Sequence, residues 1–142
     1  YANPEKELEG ILTRIQMEDL DDVAILVPSD KEVMMVNDYL ANHGIKTQVM
    51  YRTGNTVPFR TVNTLDFSNN DLPCILTYYA AKGSEFDNVF VPFANTSNDC
   101  SRNSFYVACT RSSRSLYISY SGTKTKYLSD VNSDFITELK AA

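Results

Sequence analysis

The run "VAILVP" at residues 23–28 constrains the fold more than any other stretch of the chain. Its apolar residues are continuous rather than alternating, and Val and Ile dominate. That pattern predicts a short strand buried on both faces. Ser29 or Asp30 can cap a following helix, which carries Val33, Val36, Tyr39 and Leu40 on one face. "NHG" at 42–44 closes that helix, with Gly44 as the left-handed stop. "TQVMY" at 47–51 predicts a second strand. Strand, helix and strand joined by short links are the mark of a parallel α/β sheet.

The rest of the chain extends this order. Asn3-Pro4 predicts a helix start, and Leu8, Ile11, Leu12 and Ile15 give that helix one apolar stripe. Asp19, Asp21 and Asp22 predict a solvated loop, and the acidic opening as a whole predicts a solvated helix face rather than a metal site. Residues 52–73 are rich in turn formers, with one short strand expected near Arg60 to Leu65. "CILTYY" (74–79) and "NVFVPF" (88–93) predict two buried strands. A polar loop (95–103), a helix (104–113) and a strand (115–121) follow. A closing helix over 126–139 is expected to show Leu128, Val131, Phe135 and Leu139 on one face. Residues 1–142 are thus expected to form one domain: an acidic helix and loop (1–22), a core (23–121) and a closing helix (122–142).

Length and composition set limits. A chain of 142 residues, 43% hydrophobic and 22% charged, can bury one sizeable core. The net charge of −5 resides in residues 1–22, which hold seven acids and two bases. The body beyond is neutral, so charge neither supports nor excludes a nucleic-acid partner. No apolar run approaches the roughly 20 residues of a membrane helix, so no membrane association is expected. The chain opens on Tyr1 with no leader, and is expected to be an excised piece of a longer, cytoplasmic protein. Cys74, Cys100 and Cys109 lack paired spacing and are expected to be reduced thiols, with Cys74 and Cys109 in the core. One histidine, His43, beside a helix stop is expected at the surface. A histidine triad or a zinc site has little to draw on.

Two stretches can carry chemistry. The polar knot Lys82-Gly83-Ser84-Glu85 lies between two predicted strands. Ligands of open α/β sheets collect at strand carboxyl ends. Gly83 permits close backbone approach, Lys82 can meet a phosphate, and Glu85 can accept from a sugar hydroxyl. Taken alone, the knot reads first as a tight polar connection and second as a ligand site. The other stretch is "FYVACTRSSRSLYI" (105–118), where Arg111 and Arg114 stand three apart at a predicted helix end. Three apart in a helix, both guanidinium groups fall on nearly one side. Guanidinium groups suit phosphate oxygens and the charge of phosphoryl transfer. Taken alone, they also fit two exposed arginines favoured by the helix dipole. Tyr78 and Tyr79, flanking the knot, are the aromatic residues best placed to stack on bases.

As a pair the two stretches resemble motifs V and VI of superfamily 1 helicases of the UvrD/Rep type. "ILTYYAAKGSEFDNVFVP" is similar to motif V, whose pattern runs Thr-x-His-x-x-Lys-Gly-x-Glu-Phe before an apolar strand. "FYVACTRSSRSLYI" is similar to motif VI, Tyr-Val-Ala-x-Thr-Arg followed by a basic residue and Leu-Tyr-Ile. "VAILVPSDKEVMMVNDYLANHGIKTQVMY" resembles the strand–helix–strand that opens the family's second RecA-like domain. The resemblance covers residues 23–121. It implies that Arg111 is an arginine finger toward the γ-phosphate, and that Glu85 contacts the ribose, with Gly83 and Lys82 beside it. Arg114 matches the basic residue that follows, on the nucleotide side. Thr77 and Tyr79 match positions that face single-stranded DNA or RNA. The chain departs from the pattern at Tyr79, where the family has His, and at Ser112, where it has Ala. Residues 52–73 stand where the family carries a large inserted subdomain, which points to a compact branch.

Within the chain there is no Gly-x-x-x-x-Gly-Lys-Ser/Thr loop and no strand ending in Asp-Glu. The resemblance assigns those parts, with the grip on ATP and Mg2+, to an N-terminal RecA-like domain of the same protein. The fragment alone is expected to be inactive and to hold no ligand tightly. Two rival readings stay open: a non-catalytic regulatory or interaction module that keeps the helicase fold, and a stand-alone flavodoxin-like ligand binder.

Overall fold

The computed structural model describes residues 1–53, 60–95, 101–130, 134 and 137–139. Helix α1 (Pro4–Met17) starts as its sequence dictates, with Asn3 extended at the N-cap and its side chain accepting from the Lys6 N–H at 2.9 Å. Strand β1 (Val23–Val27) is buried at every residue. Helix α2 (Asp30–Asn42) follows from an N-cap at Ser29. It stops where Gly44 takes a φ of +77°. Strand β2 (Gln48–Thr53) and strand β3 (Arg60–Asn63) form an antiparallel pair, with Arg52 opposite Thr61. Strand β4 (Cys74–Thr77), strand β5 (Phe86–Val91), helix α3 (Arg102–Cys109) and strand β6 (Ser112–Ile118) complete the layers.

The six strands form one mixed sheet in the order β3-β2-β4-β1-β5-β6. All neighbours are parallel except β2 and β3. β1 lies at the centre because it can bury both faces. Val23, Ile25 and Val27 face a core shared with α1 and α2, together with Ile75 and Phe90. Ala24 and Leu26 face a second core with α3, together with Leu76, Val89 and Phe105. The two-residue period of the strands sorts these side chains onto opposite faces. Cys74 is 5% exposed in the second core, and burial, aided by the nearby Asp22 charge, pushes its thiol up to about 11. No helix among the described residues is long and apolar enough to cross a membrane.

The stretch rich in turns between β3 and β4 is ordered from one buried side chain. Gln48 Nε2 donates to the carbonyls of Asn69 (2.7 Å) and Leu72 (3.2 Å), and its Oε1 accepts from the Asp66 N–H at 2.6 Å. A buried amide that uses both ends in this way replaces the backbone ladder the segment lacks.

Four expectations from sequence need correction. The helix expected over 104–113 ends at Cys109, because Thr110 turns its hydroxyl back onto the Val107 carbonyl and serine residues dominate beyond. The strand placed at 115–121 accordingly starts at Ser112. Among the described residues of the expected closing helix, Lys126–Asp130 is a 3₁₀ turn, and Leu139 is exposed and non-helical. Val131 and Phe135 of that expected helix lie outside the described residues, as does Cys100. Finally, the acidic opening is not wholly a solvated face. Glu7 is fully buried, with Oε1 accepting from the Phe93 N–H and the Ser119 hydroxyl, each at 2.9 Å.

Candidate nucleotide and nucleic-acid sites

The connection from β4 to β5 positions both candidate sites. Parallel strands are joined by crossovers of about a dozen or more residues, mostly helical. Here residues 78–85 cross in eight, as a run of hydrogen-bonded turns. The Tyr78 N–H donates to the Val27 carbonyl at 2.9 Å, the Ala80 N–H to Thr77 Oγ1 at 3.1 Å, and the Ala81 N–H to the Thr77 carbonyl at 3.1 Å. The Lys82 N–H reaches the Tyr79 carbonyl at 3.2 Å and the Ser84 N–H the Ala81 carbonyl at 3.0 Å. Tyr78 and Ala81 are buried in the core shared with α3, so the run is packed down onto the sheet.

At its first end the connection meets the carboxyl edge of the sheet. Thr77 and Tyr79 line a cleft of about 560 Å3 there, with Ser29 and Asp30 at the start of α2 and with Tyr51, Arg52 and Thr61 of the β2–β3 pair. Tyr79 is 82% exposed, whereas its neighbour Tyr78 is 4% exposed. The alternation separates their places: Tyr78 is a core residue, and Tyr79 is an exposed aromatic residue lining the cleft. Arg52 is exposed and lines the same cleft. Sequence reasoning missed Arg52. Its signal was the two-residue period of β2, which sets Arg52 on the same side as Met50.

At its second end the connection reaches the amino edge of β5. This corrects the expectation that the Lys82–Glu85 knot sits at strand carboxyl ends, because β4 and β5 run parallel and the chain must return to the opposite edge before β5 begins. Gly83 takes a φ of +85°, the left-handed region that side chains with a Cβ rarely adopt. Lys82 and Glu85 are exposed beside it. Arg111 lies across from the knot, half-buried. Its Nε donates to the Val107 carbonyl at 3.0 Å, its Nη2 to Thr110 Oγ1 at 3.1 Å, and its Nη1 approaches the Ser84 carbonyl at 3.5 Å. The Phe86 N–H donates to the Arg111 carbonyl at 2.8 Å. The two stretches singled out in the sequence thus meet in space through backbone and side chain.

Arg114 does not share a helical side with Arg111. It stands exposed on β6, because the chain has become strand by Ser112. His43 is exposed at the end of α2, its Nδ1 within 2.8 Å of the Tyr39 carbonyl. Among the described residues no group of three or more His, Cys, Asp or Glu side chains is arranged to hold a metal ion.

The family model described as the UvrD-like helicase C-terminal domain matches residues 73–119, which run from the start of β4 to just past β6 and include the knot and Arg111. Among solved structures, the C-terminal domain of a possible DNA helicase from Lactobacillus plantarum WCFS1 matches with a TM-score of 0.73 and 23% identity. That match covers 94% of this chain and 78% of the other. No curated protein matches the chain. In the sequence of residues 73–119 the chain is similar to the UvrD-like helicase C-terminal domain, and in fold over nearly its whole length it is similar to that C-terminal domain of a possible DNA helicase.

Proposed function

We propose that this chain is the second motor domain of an ATP-dependent helicase, working across a cleft from an N-terminal RecA-like domain of the same cytoplasmic protein. Arg111 stabilises the charge that develops on the transferring γ-phosphoryl group. Glu85 accepts from the ribose, and Lys82, Gly83 and Arg114 border the nucleotide. The partner domain would hold the phosphates and Mg2+, and the ion would supply charge neutralisation during phosphoryl transfer. Thr77 and Tyr79 face single-stranded DNA or RNA in the carboxyl-edge cleft, with Arg52 as an added phosphate contact.

The observation that carries this reading is the connection 78–85. It begins at the aromatic and hydroxyl groups of one cleft and ends against Arg111 at the other edge of the sheet. A packed run of turns is a short physical link between a nucleic-acid contact and a nucleotide contact. On this proposal a shift at one end reaches the other, as coupling of hydrolysis to stepping requires.

The test uses the full-length protein. Arg111→Ala is expected to lower ATP turnover by ~10³ or more while nucleotide binding persists. Turnover equal to wild type would remove the arginine-finger role and favour the non-catalytic module.

A further inference from the structure

We propose that Thr110 is the positioning residue that sets the direction in which Arg111 presents its free N–H groups; the inference rests on Arg111 facing a nucleotide, as proposed above. A guanidinium carries five N–H donors in one plane. In Arg111 one goes to the Val107 carbonyl, one to Thr110 Oγ1 and one approaches the Ser84 carbonyl. Two remain without a partner among the described residues.

The Thr110 hydroxyl has a single proton, and its place is taken. Oγ1 donates to the Val107 carbonyl at 2.8 Å. With the proton fixed there, the Oγ1 lone pairs face Arg111 Nη2 at 3.1 Å. The Val107 carbonyl also accepts from Arg111 Nε at 3.0 Å, so hydroxyl, carbonyl and guanidinium close a small ring of hydrogen bonds. Both bonds lie on the Nε–Nη2 edge of the plane. Turning the guanidinium breaks the two together, and the free donors on Nη1 and Nη2 are held pointing away from the end of α3. The anchor is a helix terminus, which is firmer than a loop.

Thr110 is exposed and contributes nothing to either core. Removing its hydroxyl in an isosteric way therefore disturbs orientation without disturbing packing. Arginine retains its charge in every such variant, so a loss of rate reports aim rather than charge.

The experiment measures steady-state ATP turnover of the full-length protein at saturating single-stranded nucleic acid, for wild type, Thr110→Val, Thr110→Ser and Arg111→Ala. Thr110→Val is expected to lower kcat on the order of tenfold, within the range that sub-ångström to ångström misplacement of a reacting group produces. KM for ATP stays within about twofold, because ground-state binding does not use this donor pair. Thr110→Ser restores the acceptor and is expected to return kcat to near wild type. A kcat for Thr110→Val equal to wild type, alongside a collapsed Arg111→Ala, overturns the positioning role and leaves the arginine finger standing. A change confined to KM, or a Thr110→Ser enzyme as slow as Thr110→Val, also overturns it. Wild-type turnover in Arg111→Ala overturns the reading beneath it.

Discussion

Glu7 and Phe93 are joined across 86 positions of sequence by one hydrogen bond, the Phe93 N–H donating to Glu7 Oε1 at 2.9 Å. Phe93 has a φ of +64°, rare for a side chain with a Cβ, and follows the end of β5. The Ser119 hydroxyl, just past β6, converges on the same oxygen. Glu7 thus ties α1 to the ends of two parallel strands. Glu7→Ala strips both donors of their acceptor inside the core and is expected to cost about 2–4 kcal/mol in denaturant unfolding. Glu7→Gln keeps the accepting oxygen and exchanges only Oε2, which has no hydrogen-bond partner among the described residues, so its cost is expected to be less than half as large. Equal stability of wild type and the alanine variant would show that the tie contributes nothing.

Gly83 provides a second stability test. A Cβ at this residue would meet nothing within 4 Å, so any penalty comes from the backbone alone. Gly83→Ala is expected to cost about 1–2 kcal/mol through its left-handed φ. Gly83→Asn, whose side chain tolerates that region, should cost less. Thermal or denaturant melts of the two variants side by side give the order, and an alanine variant as stable as wild type would show that this turn can relax.

The carboxyl-edge cleft predicts separable effects on nucleic-acid binding by the full-length protein. Tyr79→Ala removes a stacking face and is expected to weaken single-strand affinity by about 1–3 kcal/mol, with little change in salt dependence. Arg52→Ala removes a phosphate contact and is expected to flatten the slope of log affinity against log salt by about 0.7. Fluorescence anisotropy over a salt series distinguishes them. Unchanged affinity in both variants would place the nucleic acid elsewhere.

Cys74 predicts a pH effect. Its folded thiol sits at about 11, above the ordinary value of 9.0, chiefly through burial. The folded state therefore holds its proton more tightly than the unfolded state. The resulting stabilisation is complete below pH 9 and is lost as pH rises from 9 through 11. In a Cys100→Ser/Cys109→Ser variant, Cys74 should resist a thiol reagent at pH 8 until denaturant is added. Rapid modification under native conditions would contradict its burial.

Much of the fold was legible because it depends on local rules. The continuous apolar run of β1 announced a strand buried on both faces, Asn3-Pro4 announced the start of α1, and Gly44 announced the stop of α2. The pairing of the knot with Arg111 was legible only through resemblance, since the contact between Ser84 and Arg111 spans sequence that no local pattern links. The arginine pair was misplaced because Thr110 and the serines beyond it end α3 early, and a strand does not keep the three-residue spacing of a helix on one side. Glu7 was hidden by its acidic neighbours. Its trace was positional, four residues before Ile11 and so on the stripe that α1 buries. Arg52 escaped notice because its significance comes from the cleft that β2, β4 and α2 build together.

The crossing from Thr77 to Phe86 also bears on how such a chain can change over time. A helix in this place could lose or gain a turn at its solvent end. Here each turn hands its hydrogen bond to the next, and Tyr78 and Ala81 are sunk in the core. A single inserted residue would either rotate Tyr79 out of its cleft or pull the Ser84 carbonyl away from Arg111. Exposed side chains such as Lys82 are open to substitution along the stretch, whereas its length is not. An insertion scan should therefore find residues 78–85 among the least forgiving of the chain.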